Sequence, residues 1–313
     1  MYFRQFTLVL LLTALCALAL PVAADGEKPV GDQPPTTVEQ AYLGLSKGPL
    51  RSAQLTDLPA DLVMRSGDIQ IDLAQIAAET NAIEDPPQIR EQLQNSAFFV
   101  LEILATPALL LKEARAAGMD TADQYDATVI EAYLKSLVDE VEVTAEEARA
   151  FFGANADMFG NATYEQVQAD LIAYLRREKQ EASVATHINS LSERIPVEVN
   201  AAWLQQIAPA ALDTVVDRAR RSGKPALVDF GAGGCSACDL MTPILEEIRA
   251  DYGTQCDVLF VSVSEEPVLS ARYGIVSIPV QILFDKDGKE FFRHTGFIPK
   301  EQLVAKLSEL GIR

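Results

Sequence analysis

Two cysteines separated by two residues, Cys235 and Cys238, are the residues whose type and spacing best fit chemistry. They follow an apolar strand pattern at 226–230 and precede a helical pattern at 240–249. A thiol at the N-terminus of a helix lies among unpaired amides and near the positive end of the helix dipole, which lowers its pKa below the free value of about 8.5. Cys235 is therefore predicted to act as the nucleophile in thiol–disulfide exchange. Cys238, one helical turn later, is predicted to resolve the mixed disulfide formed on Cys235.

A C-x-x-C motif also occurs as half of a zinc site or as a structural disulfide. A structural zinc site needs four ligands, and the chain offers no second C-x-x-C and only two histidines, His187 and His294, which are far apart. No metal is therefore expected, and the redox interpretation is favoured, with the cysteine pair itself as the redox group and no separate cofactor. The odd thiol, Cys256, is predicted to be a small buried side chain, with auxiliary redox chemistry or intermolecular pairing as the alternative.

Strand and helix patterns alternate from about residue 201 onward, which is typical of a sheet covered by helices. Within this region the segment 205–313 resembles thioredoxin. The markers, in the expected order, are Val228-Asp229-Phe230, Pro243, Tyr273-Gly274-Ile275-Val276-Ser277-Ile278-Pro279 and Gly296. The resemblance implies an α/β thioredoxin fold at the C-terminal end, preceded by a mostly α-helical domain.

The resemblance assigns roles to the residues around the cysteines. Asp229 is implied to assist proton transfer to Cys238, and Pro243 is implied to kink the active-site helix. The chain departs from the family at Gly234, where thioredoxins usually have Trp, and at Ser236-Ala237, where they usually have Gly-Pro. Strongly oxidising relatives place His between the cysteines, and Ser-Ala offers no such charge. The pair is therefore expected to reduce or isomerise disulfides.

A second set of matching residues is implied to bind the client protein. Ile278 and Pro279 are implied to share a cis peptide bond, and the backbone before the proline would pair with an extended client strand. Gly296 matches a glycine that lies near the active site, and Val280 stands where Thr commonly follows the proline. The expected partners are proteins that contain cysteines and a membrane electron donor or acceptor. The direction of electron flow and the oligomeric state stay open.

The stretch 60–200 has a mostly helical pattern with recognisable start and stop signals. Asp85-Pro86 is typical of a helix start, with proline at the first helical position, and Pro107 is predicted to kink or divide the helix that follows. Capping-box spacing predicts two further helix starts, at Thr144 with Glu147 and at Thr163 with Gln166.

Parts of this stretch resemble the N-terminal chaperone region of SurA-type periplasmic peptidyl-prolyl isomerases. The matching segments, in the same order, are Ser66-Gly67-Asp68-Ile69, residues 112–118, and Val143-Thr144-Ala145-Glu146-Glu147. The resemblance implies that strands at 62–64 and 197–199 pair and that the domain holds non-native polypeptides. A thioredoxin-like segment stands where the parvulin catalytic domain usually follows, so prolyl isomerase activity is not expected. Alternatively, the helical domain only packs, dimerises or docks on a membrane partner.

The first 24 residues have the pattern of a secretory signal peptide. Arg4 precedes an apolar run that ends before Pro21, and cleavage is predicted after Ala24. A periplasmic location is therefore expected, with a membrane anchor formed by an uncleaved signal as the alternative. Residues 25–59 contain five prolines and are predicted to form a loosely ordered leader. The predicted organisation is signal peptide 1–24, leader 25–59, helical domain 60–200 and thioredoxin domain 201–313.

Composition and charge exclude two classes of protein. Hydrophobic residues make up 49% of the 313 residues and charged residues 23%, which excludes a wholly disordered chain. The formal net charge of −19 repels phosphate backbones, so no nucleic acid partner is expected. Besides a thiol–disulfide oxidoreductase, two hypotheses remain: a chaperone whose thioredoxin fold is only a docking module, and a zinc-binding structural module.

Overall fold

The computed structural model describes residues 36–82, 87–119, 126–155 and 159–313. The predicted signal peptide at 1–24, residues 25–35 of the predicted leader, and the predicted helix start at Asp85-Pro86 lie outside the described residues. Within the described ranges, none of the helices combines the length and the apolar character needed to cross a membrane.

The N-terminal part of the described chain consists mainly of helices. Their bounds are α1 (Val38–Ala41), α2 (Leu73–Ala82), α3 (Pro87–Asn95), α4 (Ala97–Ala116), α5 (Asp126–Ser136), α6 (Ala145–Ala154), α7 (Tyr164–Asn189) and α8 (Leu191–Arg194). The capping box predicted at the start of α6 is confirmed, because Thr144 and Glu147 each bond the other's backbone amide. At the start of α7 the Gln166 side chain accepts a hydrogen bond of 2.8 Å from the Thr163 amide.

Pro107 was predicted to kink or divide its helix; division is wrong, and a kink stays a prediction. Pro107 lies inside α4. The helical run is interrupted instead at Ser96, between α3 and α4. An interior proline costs a helix about 3 kcal/mol, because it removes one hydrogen bond and crowds the preceding turn. Buried side chains on both sides of it, such as Leu101 and Leu109, pack in the same hydrophobic core. This shared packing keeps the two halves in one helix.

A small sheet joins the two ends of the helical part. Its strands are β1 (Gln54–Thr56), β2 (Leu62–Ser66), β3 (Ile69–Asp72) and β4 (Glu198–Asn200), arranged in the order β1-β4-β2-β3. Met64 on β2 faces Val199 on β4 in antiparallel register. The pairing predicted between residues 62–64 and 197–199 is therefore confirmed. Asn200 then caps the next helix, α9 (Ala201–Ala211), by accepting hydrogen bonds from two of its amides.

Residues 36–59 are ordered, so the prediction of a loosely ordered leader is wrong for this part of it. Val38, Leu50 and Ala53 are fully buried in the hydrophobic core of the helical part. The Gln54 amide also donates a hydrogen bond of 2.8 Å to the Val197 carbonyl, which ties the segment to the far end of the helical part. The prolines do prevent long regular elements, but the apolar residues between them bury enough surface to fix an irregular path.

The C-terminal part is a sheet covered by helices on both faces. Its strands are β5 (Ala226–Gly231), β6 (Asp257–Ser262), β7 (Val280–Phe284) and β8 (Glu290–Thr295), in the order β6-β5-β7-β8. Its helices are α10 (Val215–Arg220), α11 (Ser236–Tyr252), α12 (Pro267–Arg272) and α13 (Lys300–Glu309). β5 pairs parallel with β6 and antiparallel with β7.

The two faces of this sheet bury different side chains of β5. Leu227 packs with α11 and α13 on one face, whereas Val228 and Phe230 pack with α10 and α12 on the other. The predicted fold class, an α/β thioredoxin fold preceded by a mostly α-helical region, is confirmed by this architecture.

The N-terminal and C-terminal parts are in direct contact. The buried side chains of α9 and of Val268 on α12 belong to the hydrophobic core of the helical part. Gln92 on α3 donates a hydrogen bond of 2.7 Å to the Glu265 carbonyl, and Lys47 forms an ion pair with Glu290 at 3.4 Å. The predicted domain boundary between residues 200 and 201 stays a prediction.

Candidate functional site

The strand β5 leads directly to the cysteine pair. All six of its residues are buried, and the chain then passes through Gly234, whose φ of 80° lies in the left-handed region that favours glycine. Cys235 follows as the N-cap of α11, and its Sγ accepts a hydrogen bond of 3.2 Å from the Cys238 amide. Cys235 therefore sits where unpaired amides and the helix dipole favour an anionic sulfur.

Cys235 and Cys238 are joined by a disulfide with a Cα–Cα distance of 5.2 Å. Their exposure differs, because Cys235 is partly exposed whereas Cys238 is buried with 4% of its surface accessible. A sulfur from another protein can therefore reach Cys235 more readily than Cys238. This difference favours Cys235 as the sulfur that reacts with another molecule and Cys238 as the sulfur that acts within the protein.

Pro243 lies inside α11, five residues after Cys238. Proline has no amide hydrogen, so the Asp239 carbonyl lacks its usual helical donor. The helix continues to Tyr252, and Met241 and Leu245 are buried on either side of the proline against the sheet. Pro243 thus belongs to the helix that carries both cysteines.

Pro279 and Gly296 lie together at the end of the sheet at which β5 terminates. The Ile278–Pro279 peptide bond is cis, and β7 begins directly after it with Val280 in register with Phe230 near the end of β5. The Gly296 amide donates a hydrogen bond of 2.7 Å to the Pro279 carbonyl. The segment before the proline also presents an apolar side chain to solvent, since Val276 is 87% exposed.

Asp229 lies on the face of β5 that α11 covers, below Cys238. Asp229 and Gly231 point to the same face because side chains alternate along a strand. A Cβ built on Gly231 would lie 3.4 Å from the Cys238 Cβ and 3.5 Å from its Sγ, so Gly231 touches the buried cysteine. Asp229 is the next residue on this face, about 7 Å deeper along the strand.

The carboxyl group of Asp229 is almost completely removed from water, with 1% of the residue exposed. Burial raises its pKa from 3.8 to about 6, while a hydrogen bond of 2.8 Å from Gln281 Nε2 to Oδ1 acts in the opposite direction. A carboxyl group with a pKa in this range can both accept and release a proton near neutral pH. Asp229 is therefore suited to exchange a proton with a neighbouring thiol.

Two residues at the site were missed by sequence reasoning, Gln281 and Phe260. They are the register partners of Asp229 on β7 and β6. Gln281 is the one polar residue in the run Val280–Phe284, and a polar side chain in a fully buried strand is a signal that could have been used. Phe260 is 50% exposed and its ring lies against Gly231, a contact that no sequence pattern indicates.

The other residues considered from the sequence lie elsewhere. Cys256 is confirmed as a buried side chain: it has no exposed surface, and burial raises the pKa of its thiol to about 11. His294 Nε2 lies 3.1 Å from the Phe297 carbonyl, and His187 Nε2 lies 2.8 Å from Glu113 Oε2. The described ranges hold no group of three or more His, Cys, Asp or Glu side chains that could bind a metal ion.

Known proteins are similar to the C-terminal part of the chain. A family model described as a thioredoxin-like domain matches residues 212–311. Thioredoxins of Staphylococcus aureus strains Mu50, MW2 and N315 are each 43% identical to the chain over 83 residues. The aligned segment covers 26% of this chain and 79% of each relative.

Proposed function

The chain belongs to the thioredoxin family through its C-terminal domain, and from this we propose that it is a periplasmic thiol–disulfide oxidoreductase that reduces or isomerises disulfides in client proteins. The observation that carries the proposal is the unequal exposure of Cys235 and Cys238 at the start of α11, with Asp229 buried on the same face of β5 as Gly231, which touches Cys238. The matching thioredoxins support the type of chemistry, and the signal-like sequence at 1–24 supports the location.

The proposed reaction has two steps. In the first, the Cys235 thiolate attacks a client disulfide, a new bond forms between Cys235 and one client sulfur, and the other client sulfur leaves as a thiolate. In the second, the Cys238 thiol transfers its proton to the Asp229 carboxylate and attacks the Cys235 sulfur, which releases the remaining client sulfur. The client disulfide thereby gains two electrons and the protein dithiol loses two. The disulfide between Cys235 and Cys238 is the product of one turnover.

Client binding involves the end of the sheet near Pro279. Val276 offers an exposed apolar contact. The backbone around Ile278 lies next to the end of β5, where the loop that leads to Cys235 begins. Gly296 supports this end of the sheet through its hydrogen bond to the Pro279 carbonyl. An extended client segment that pairs with this backbone would bring its own disulfide to Cys235.

The residues between the cysteines favour a reductant or an isomerase over an oxidase. Ser236 and Ala237 carry no charge that would stabilise a reduced thiolate, so the reduced form is not favoured as it is in strongly oxidising relatives. A low potential suits a reductant or an isomerase. A membrane electron donor is then the partner that regenerates the dithiol.

The helical part is proposed to hold client polypeptides. The antiparallel pairing of β2 with β4 agrees with the pattern implied by the likeness to SurA-type chaperone regions. Because the helical part and the redox domain belong to one chain, a client bound to one meets the other at an effective concentration up to the millimolar range. The alternative is a periplasmic chaperone whose thioredoxin fold only docks partners.

The equilibrium reduction potential of the Cys235/Cys238 pair tests the proposed function. The protein without residues 1–24, and with Cys256→Ala to leave one redox pair, is equilibrated in dithiothreitol buffers of known ratio. We expect a value of about −270 mV, which is that of thioredoxin. A value of about −120 mV would instead indicate an oxidase, and a pair that does not cycle would contradict the oxidoreductase proposal.

A variant with both Cys235→Ser and Cys238→Ser separates the proposal from its alternative. We expect this variant to have lost disulfide reductase activity and to fail to complement a deletion strain. If it complements fully and still suppresses the aggregation of an unfolded client, the chaperone alternative holds. Cys256→Ala is the matched control, because it removes a thiol away from the redox pair.

A further inference from the structure

Within the described ranges, one side chain lies at hydrogen-bonding distance from Asp229, that of Gln281. The two residues are direct cross-strand partners on β5 and β7, and the Gln281 Nε2 donates to Asp229 Oδ1 at 2.8 Å. Gln281 has no exposed surface and Asp229 has 1%. On the other side, the register partner of Asp229 is Phe260, whose side chain cannot donate a hydrogen bond. Among the described residues, Gln281 alone therefore fixes the orientation of this carboxyl group.

Two oxygen atoms of this pair are buried without a hydrogen-bond partner in the described part of the chain, Asp229 Oδ2 and Gln281 Oε1. An unpaired buried oxygen is unfavourable by about 1–3 kcal/mol, so such atoms are uncommon in native proteins and call for an explanation. The explanation offered by the geometry is functional. One carboxyl oxygen is held by Gln281, and the other is left available for a proton.

We propose that Gln281 is a positioning residue, which holds the Asp229 carboxyl group by Oδ1 so that Oδ2 can take the proton of Cys238. The inference rests on the proposed function and adds a residue to it. In the second step the Cys238 S–H bond breaks and its proton moves to Oδ2. The sulfur's electron pair forms the bond to Cys235, and the bond between Cys235 and the client breaks. The client sulfur leaves with that bond's electron pair and takes a proton from water.

The hydrogen bond also sets the pH range of this step. An N–H donor stabilises the ionised carboxyl group and so lowers its pKa, against the effect of burial. Without the donor, Asp229 stays protonated to higher pH and cannot accept the Cys238 proton. Because hydrogen bonds to charged groups are stronger than neutral ones, removal of Gln281 should raise the pH midpoint of the resolving step by about one to two units.

The test measures the two steps separately in Gln281→Leu, which keeps a buried side chain of similar size and removes the donor. The reduced protein is mixed with oxidised glutathione and quenched with acid, and mass spectrometry follows the mixed disulfide on Cys235 and its conversion to the internal disulfide. We expect an unchanged pH profile for formation of the mixed disulfide. The profile for its conversion should move to higher pH by about one to two units. Gln281→Asn, which keeps an amide donor, should show a smaller shift than Gln281→Leu.

Two further variants serve as controls. Ile282→Leu changes the packing of the neighbouring residue on β7, which lies in the hydrophobic cluster on the opposite face, and should move neither profile. In an Asp229→Asn background, Gln281→Leu should cause no additional shift, because the two residues act as one unit. An equal shift with Ile282→Leu, or no shift with Gln281→Leu, would overturn the proposal.

A direct titration of Asp229 tests the role of Gln281 without requiring turnover. The carboxyl carbon of Asp229 is followed by NMR against pH in the oxidised wild type and in Gln281→Leu. A midpoint that rises in the variant supports the positioning role even if the cysteines prove unable to resolve a client. An unchanged midpoint contradicts the role of Gln281, whereas failure of mixed disulfide formation in the wild type contradicts the proposed function instead.

Discussion

The described part of the chain contains three cysteines, and burial gives them different chemistry. Cys235 is partly exposed at a helix start, Cys238 is buried next to it, and Cys256 is buried among apolar side chains near the other end of β5. A thiolate is the reactive form of cysteine, and an apolar surrounding disfavours it. The position of each sulfur relative to the helix and the core therefore decides whether it reacts.

Alkylation should separate Cys256 from the redox pair. In the reduced native protein at pH 8, iodoacetamide should modify Cys256 at least about 100-fold more slowly than Cys235, because a thiol of pKa about 11 has little thiolate at that pH and this one is also shielded. Mass spectrometry after digestion measures both rates. In the denatured protein the two should react at similar rates. Fast modification of Cys256 in the native protein would contradict its burial.

Single residues were predictable from sequence where the signal is local. Cys235 and Cys238 are marked by their spacing and by the strand and helix around them, and the buried acid Asp229 belongs to the same strand. Gln281 was not predictable in this way, since its proposed role depends on facing Asp229 across the sheet, 52 positions earlier in the chain. Such a contact is set by the register of β5 and β7, which spacing along the chain does not contain.

At the scale of elements, the site depends on how closely α11 and β6 approach the end of β5. Gly231 is where they meet, because a Cβ there would lie 2.9 Å from a ring carbon of Phe260 and 3.4 Å from the Cys238 Cβ. The absence of a side chain thus lets the helix that carries the cysteines and the neighbouring strand pack on β5. A larger residue would displace the Phe260 ring or the cysteine.

Gly231→Ala should therefore lower the free energy of unfolding by about 1–3 kcal/mol, as overpacking does. Urea unfolding of the oxidised protein measures the change. Gly233→Ala is the matched control, because a Cβ at that position meets no atom of the described part of the chain within 4 Å, and it should change stability by less than about 0.5 kcal/mol. Adding Phe260→Leu to Gly231→Ala should recover part of the loss. Equal losses in the two alanine variants would contradict the argument.

The elements themselves were predictable to different degrees. Capping residues such as Thr144 marked the start of α6 because the cap is made by neighbours in sequence. The division between α3 and α4 was misplaced, because the effect of Pro107 depends on core contacts on both sides of it and not on the proline alone. Local chemistry fixes where elements begin, and packing decides whether they continue.

At the scale of the whole molecule, residues 36–59 connect the helical part to the redox domain. Lys47 lies 5.6 Å from the ring centre of Tyr273 and 5.5 Å from that of Phe284, and it pairs with Glu290 on β8. Gly44 lies directly against the guanidinium group of Arg220. Proline content alone predicted a loose leader, and these contacts with residues more than 170 positions away could not be predicted from it.

A buried acid, Glu102 on α4, lies where this segment, the helical part and the redox domain meet. It accepts hydrogen bonds from the Ser46 hydroxyl and the Leu50 amide, and the charge of Arg272 also acts on it. Burial outweighs these favourable interactions and raises its pKa from 4.5 to about 7. Between pH 4.5 and about 7, Glu102 is therefore protonated in the folded protein, whereas the same carboxyl group is ionised in the unfolded chain.

The contribution of Glu102 to the stability of the folded protein should therefore fall as the pH rises. A carboxyl group whose pKa is higher in the folded state stabilises the protein at low pH, and this contribution is lost as the pH passes from 4.5 through about 7. Between pH 5 and pH 8 the loss due to Glu102 amounts to roughly 2 kcal/mol. Asp229, whose pKa is also raised, changes stability in the same direction, so Glu102 has to be isolated by substitution.

Glu102→Gln keeps the size of the side chain and cannot ionise, so its free energy of unfolding should decline less between pH 5 and pH 8 than that of the wild type, by roughly 2 kcal/mol. Urea unfolding of both proteins at the two pH values measures this difference. Glu91→Gln, at an exposed position on α3, is the matched control and should behave as the wild type. If Glu102→Gln and Glu91→Gln show the same dependence on pH, Glu102 is ionised in the folded protein at pH 5 and the explanation from burial is wrong. If the decline is smaller only in Glu102→Gln, protonation of this one acid stabilises the junction between the helical part and the redox domain.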